Sequence, residues 1–225
     1  AVGDISNSTQ SFEIKQQSSL YYHTFVELFA FDKSKAEKVF NDGKFLQKQL
    51  QNRSLIGSIS PHSPYSVSFE LMKMITEDQT QLPLSIHNQE TEEENLMYRE
   101  KKGKMLQMLQ EFKLDTSDWN ASKSSSLQGY LKRLPSNRNL LLVHNTYTSL
   151  EDVLWAEEQH PQLYWCFCPK ANLFIEGNLP ALAMFEEQAV KCTLGTDSLA
   201  SNDSLSILEE MKCIQQHFSG ISLKS

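Results

Sequence analysis

Basic clusters, long apolar runs and paired cysteines are all scarce in this sequence, and each shortage removes a class of function. Lysine and arginine number 21 against 28 aspartates and glutamates, a net charge of −7. With no Lys/Arg-rich block to interrupt that acidity, the surface repels phosphate backbones, and nucleic acid is not expected as a partner. Apolar runs such as 140–143 fall far short of the roughly 20 residues that span a bilayer, so no membrane partner is expected either. The chain opens without a basic stretch leading into an apolar one, so no secretory leader is expected. The four cysteines (Cys166, Cys168, Cys192 and Cys213) are too few and too clustered for a disulfide framework, which favours a reduced, cytoplasmic setting. Neither a G-x-G-x-x-G nor a P-loop pattern occurs, which disfavours a dinucleotide or ATP enzyme.

What is present is enough apolar material for a substantial core, 40% hydrophobic residues in a chain of 225, so a disordered chain is excluded. Short β-rich runs at 2–5, 20–29, 55–60, 82–87, 140–144, 163–167 and 190–196 predict strands. Amphipathic stretches predict helices between them. In 35–50 the residues Ala36, Val39, Phe40, Leu46 and Leu50 form one apolar stripe. A helix near Leu71–Ile75 follows. A single long helix is predicted over 92–112, with Met97, Met105, Met108 and Leu109 inward, and others at 126–134, 150–159, 181–188 and 204–218. Ser149 and Ser204 read as N-caps. Such alternation predicts an α/β fold of parallel strands covered by helices, either a barrel or an open doubly wound sheet. The serine-rich stretch 115–128, which includes Trp119, reads as a long loop, a lid or an insertion.

Unusual residues end the predicted strands: His62, His87 and His144, with Asp197 just past the last. Carboxyl-terminal strand ends are where parallel α/β folds place their chemistry, and the spacings fit strand–helix units of roughly 31 residues, as in a typical barrel. Imidazoles and a carboxylate converging on one mouth suit a divalent zinc- or iron-like ion, able to make hydroxide available near neutral pH. Glu90, three residues past His87, could act on the attacking water or the substrate. Each piece also has a plain structural explanation, since a strand-end histidine is often only hydrogen-bonded and an aspartate before a helix is often only a cap. His23, His160 and His217 read as structural or solvated. Cys166 and Cys168 alternate along a strand and are expected to face opposite ways, unlike a metal knuckle.

The segments Pro83–Thr91 (PLSIHNQET), Leu142–Asn145 (LVHN), Cys168–Asn172 (CPKAN) and Leu194–Ser201 (LGTDSLAS), together with Pro61–Tyr65 (PHSPY), occur in this order over nearly the whole chain. In combination they resemble the amidohydrolase superfamily, and within it the cytosine deaminase/chlorohydrolase-like metal-dependent hydrolases. The resemblance implies a TIM (β/α)8-type barrel of which the chain supplies strands 2 to 8. Residues 1–225 would then be a single partial barrel domain, without the first barrel strand or the family's β-sandwich. It implies one divalent metal, zinc before iron, with His87, His144 and Asp197 as ligands. Glu90 is implied as the proton shuttle, His144 as a ligand or as a hydrogen bond to the attacking water, and Asp197 as the group that takes the water's proton. His62 and Tyr65 are implied to contact substrate, and Asn172 to lie in the loop after strand 7, near the mouth.

One departure is clear: the family's His-x-His pair is found nowhere in this sequence. The ligand set carried here is therefore incomplete. The reading that follows is a metal-dependent hydrolase acting on a small heterocyclic molecule by deamination, dechlorination or cyclic-amide hydrolysis, with a homodimer as an open expectation. The alternative is a catalytically silent relative serving as a binding or assembly scaffold.

Overall fold

The structure is a computed structural model, and it describes residues 1–116, 120–218 and 220–221. Seven strands alternate with ten α-helices among the described residues. In order they are β1 (Val2–Ile5), α1 (Phe12–Gln17), β2 (Tyr22–Leu28), α2 (Ala36–Gln51), β3 (Ile56–Pro61), α3 (Phe69–Glu77), β4 (Leu84–Asn88), α4 (Glu92–Glu100), α5 (Lys104–Glu111) and α6 (Ser126–Tyr130). Then follow β5 (Leu140–His144), α7 (Leu150–Gln159), β6 (Leu163–Phe167), α8 (Pro169–Glu176), α9 (Leu182–Glu187), β7 (Cys192–Leu194) and α10 (Ile207–His217). No helix among the described residues is long and apolar enough to cross a membrane.

The chain divides into two compact units. The first comprises Ala1–Ile86 and Arg133–Leu140. It is built on the sheet β1-β2-β3, whose strands pair in parallel, with Glu27 opposite Ser60 and Leu28 opposite Pro61. Phe25, Val26, Leu28, Leu50, Ile59, Leu71 and Ile75 form its buried apolar filling. Ser68 caps α3 by accepting from Leu71 N at 3.2 Å. His23 is structural, as expected: it is buried, its Nε2 lies 2.8 Å from Ser58 Oγ, and burial holds its pKa below the ordinary value.

The second unit comprises His87–Lys132 and Leu141–Ser225. The other sheet runs in the order β4-β5-β6-β7, with β6 and β7 parallel. Trp165 is fully buried in β6, where its ring meets Phe185 at 5.1 Å and its Nε1 donates to Glu157 of α7 at 2.8 Å. Ser149 caps α7 in a capping box with Asp152, as its place in the sequence predicts.

Several expectations need correction. The predicted helix over 92–112 is two helices, because Lys101 (φ 53) and Gly103 (φ 99) take left-handed or open backbone between them. Met108 is consequently 41% exposed while Leu106 and Leu109 point inward. α10 starts at Ile207, so its N-cap is Ser206 rather than Ser204. The serine-rich stretch gives way to α6 at Ser126, and Trp119 lies outside the described residues. Cys166 and Cys168 do not face opposite ways. β6 ends at Phe167, so the pleat is lost, and a Cβ on Gly195 would stand 3.1 Å from both sulfurs.

Candidate active site

In the first unit, β3 delivers His62 one residue past its end, and the parallel register sets Glu27 of β2 beside it. His62 Nδ1 lies 2.8 Å from Glu27 Oε1, and its backbone N donates to Leu28 O at 2.9 Å. A carboxylate on Nδ1 fixes the ring's orientation and leaves Nε2 for another partner. Glu27 was missed from the sequence; its signal was a lone charge near the end of an otherwise buried strand. Tyr65 is half-buried in the turn leading to α3.

In the second unit, β4 and β5 place His87 and His144 at their ends, with the imidazoles stacked at 5.4 Å between centroids and 23° between planes. His144 is 1% exposed. Its Nδ1 meets Asn172 Oδ1 at 2.7 Å, and Asn172 Nδ2 turns toward His144 O at 3.4 Å. That orientation of the amide makes Nδ1 the protonated nitrogen and leaves Nε2 facing Glu90 Oε1, 3.5 Å away. Asn172 is not in a loop, as expected above, but buried on α8, whose first residue Pro169 is preorganised for a helix start.

Four non-glycine residues cluster in left-handed backbone at these strand ends: Gln89 (φ 45), His144 (φ 77), Asn145 (φ 59) and Asp197 (φ 55). Each costs about 1–3 kcal/mol and persists only where its surroundings over-determine it. Here they do. Asn88 Nδ2 donates to Asn145 Oδ1 at 2.9 Å, and Asn145 Nδ2 donates to Leu142 O at 2.8 Å and Cys166 O at 3.1 Å. Buried Tyr130 donates to Asn88 Oδ1 at 2.8 Å. The ends of β4, β5 and β6 are thus stapled by two amides, each directly after a histidine.

Beside this network Glu94 of α4 is completely buried. Loss of hydration pushes its carboxyl up to about 7, although bonds from Ser126 and from the backbone of Gln89 oppose the rise. Asp197 follows β7 in a turn of its own. Its Oδ1 accepts from Ser198 N and its Oδ2 from Ser201 Oγ, both at 2.6 Å. Asn202 anchors the turn by donating to Thr196 O at 2.7 Å and to buried Glu210 at 2.6 Å. The structure therefore gathers His87, Glu90, His144 and Asn172, and holds the Asp197 carboxylate on Ser198 and Ser201. Among the described residues of this unit, no three donor atoms of His, Cys, Asp or Glu lie within 4.8 Å of one another.

The amidohydrolase family's sequence profile matches residues 24–217. The chain belongs to the amidohydrolase family. An adenosine deaminase of Helicobacter pylori is 26% identical over 215 residues, which is 94% of this chain and 52% of that protein. A 5-methylthioadenosine/S-adenosylhomocysteine deaminase of Aquifex aeolicus is 28% identical over 191 residues, 83% of this chain and 39% of that one. Among solved structures, the Helicobacter pylori aminofutalosine deaminase in complex with methylthio-coformycin is 25% identical, with a TM-score of 0.83 over 99% of this chain and 55% of that one. The α/β fold is therefore that of the amidohydrolase barrel, and the amidohydrolase chain spans about half the length of these relatives. The family is generally metal-dependent. Imidazole and carboxylate groups near strand ends are donor chemistry suited to a divalent metal ion.

Proposed function

We propose that this amidohydrolase, in its full-length form, hydrolytically deaminates a 6-aminopurine nucleoside. Water adds to the ring carbon that bears the amino group, the carbon–nitrogen bond breaks, one proton of the water leaves with the amine as ammonia, and the other ends on the ring nitrogen of the oxo product. The observation that carries the reading is the Glu90–His144 contact at 3.5 Å, backed by Asn172 on the far ring nitrogen. The names of the relatives, which are adenosine-type deaminases, support a purine over the wider set of heterocycles.

The divalent cation this family uses, zinc in our reading, would be held by His87 and Asp197, with His144 beside it rather than on it, and its chemistry is Lewis-acid polarisation that makes hydroxide available near neutral pH. The protein's own groups then divide the protons. Asp197, its carboxylate aimed by Ser198 and Ser201, takes the proton of the attacking water. Glu90 delivers a proton to the departing amine. His144, its Nδ1 committed to Asn172, presents Nε2 to the reacting centre and stabilises charge developing there. His62, oriented by Glu27, and Tyr65 are assigned to the substrate. We further propose a cytoplasmic enzyme.

The test is ammonia release from adenosine, 5′-deoxyadenosine and 5′-methylthioadenosine by the full-length protein, with Glu90→Gln beside it. A loss of about 10²–10⁴-fold in kcat is expected for the variant. Undiminished activity in Glu90→Gln removes the shuttle role. No activity on any of the three by protein that holds metal removes the nucleoside reading, and metal-free inactivity of the full-length protein favours a scaffold.

A further inference from the structure

Gln89 stands between His87 and Glu90, is completely buried and has left-handed backbone. A long polar side chain in that conformation is unusual, and nothing in the proposed chemistry uses it. Every hydrogen-bonding group it has is engaged. Its N donates to Glu94 Oε1 at 3.0 Å, and its O accepts from Tyr147 N at 3.0 Å. Its Nε2 donates to Asn95 Oδ1 and to Asp152 Oδ2, both at 3.0 Å. Its Oε1 accepts from Thr148 Oγ1 at 2.7 Å and from Asn88 Nδ2 at 3.3 Å.

The partners are distributed in a way that matters. Glu94 and Asn95 belong to α4, the helix that follows the His87 strand. Tyr147 and Thr148 lie between the His144 strand and α7, and Asp152 is on α7 itself. One side chain therefore couples the turn that carries Glu90 to the turn that carries His144. We propose that Gln89 is a positioning residue: its amide and its left-handed backbone hold the Glu90 carboxylate within reach of His144 Nε2. This rests on the reading of Glu90 as proton shuttle. A short polar or apolar residue at this position could occupy the turn but could not bridge α4 and α7, so the demand is for a side chain with both a donor and an acceptor at glutamine's reach.

The experiment compares the full-length protein with Gln89→Met, which keeps the length and removes the donors and acceptor, and with Thr148→Val, which removes one bond to the amide. Two quantities are read: kcat and KM on adenosine, and the Glu90–His144 separation in crystals of each variant. Misplacement by about 1 Å costs up to roughly 10²-fold in rate. Gln89→Met is expected to lower kcat by at least about tenfold with KM within about twofold, and its crystals to show the carboxylate withdrawn from His144. Thr148→Val is expected to move both quantities the same way by less, and it decides the matter if Gln89→Met does not fold. A folded variant that melts earlier yet keeps kcat and the separation overturns the proposal, since Gln89 is then only structural. If the wild-type protein proves inactive, the functional reading has failed, and the separation alone decides the positioning role.

Discussion

Replacing Glu94 with glutamine isolates the effect of one proton on stability. The carboxyl is fully buried, and its folded pKa is pushed from 4.5 up to about 7, first by loss of hydration and further by the nearby charge of Glu90. The unfolded group titrates at its ordinary value, so between about pH 4.5 and 7 the folded protein binds more protons than the unfolded one. Stability tied to this group is thus full below about pH 4.5, falls as pH rises, and is gone above about pH 7. At about 1.4 kcal/mol per pH unit the loss amounts to about 3 kcal/mol. Glutamine reproduces the protonated form well. Oε1, which accepts from Gln89 N and from Ser126 Oγ, becomes the amide oxygen, and the amide nitrogen takes the place of Oε2, which has no hydrogen-bond partner. Urea unfolding of the full-length protein and of Glu94→Gln across pH 5–8.5 should show the variant gaining on the wild type by about 3 kcal/mol as pH rises. A difference that stays flat over that range would mean Glu94 is ionised throughout, and the burial argument would be wrong.

Other outcomes follow from the same geometry. His87→Ala and Asp197→Ala should each lower the metal content of the purified full-length protein, measured by elemental analysis, whereas Trp165→Ala should leave it unchanged. Trp165→Ala should instead cost about 3–5 kcal/mol in denaturant unfolding, because the ring is fully buried against Phe185 and its N–H is bonded to Glu157. Asn172→Leu, which removes the acceptor on His144 Nδ1, should lower kcat about 10–100-fold with little change in KM, judged by steady-state kinetics.

The strands were legible because their signal is local. β1, β5 and β6 fall where the β-rich runs place them, and the histidines stand at strand ends as their spacing predicts. Helices were legible where an apolar stripe persisted over several turns, as in α2. They were not where the helix is short, as in α1, or begins abruptly on a proline after a strand, as in α8. The break at Lys101–Gly103 was obscured because charged residues there continue the helical pattern while the backbone does not. At the site, residue types were readable but partnerships were not. Gln89 meets Asp152 and Thr148, Asn88 meets Asn145, and His144 meets Asn172 across separations that no local pattern encodes. Glu27 was passed over for the same reason, since only the strand register sets it against His62.

The paired asparagines carry a consequence for descent. Asn88 and Asn145 each complete the other's hydrogen bonding in a dry setting, so a mutation at one strands a buried amide at the other. The two codons are expected to drift together or not at all. A lineage that exchanged one amide for an apolar side chain would be pressed to exchange the other, and the neighbouring histidines would pass through an intermediate with loosened strand ends. That intermediate is the barrier separating this arrangement from any rebuilt one.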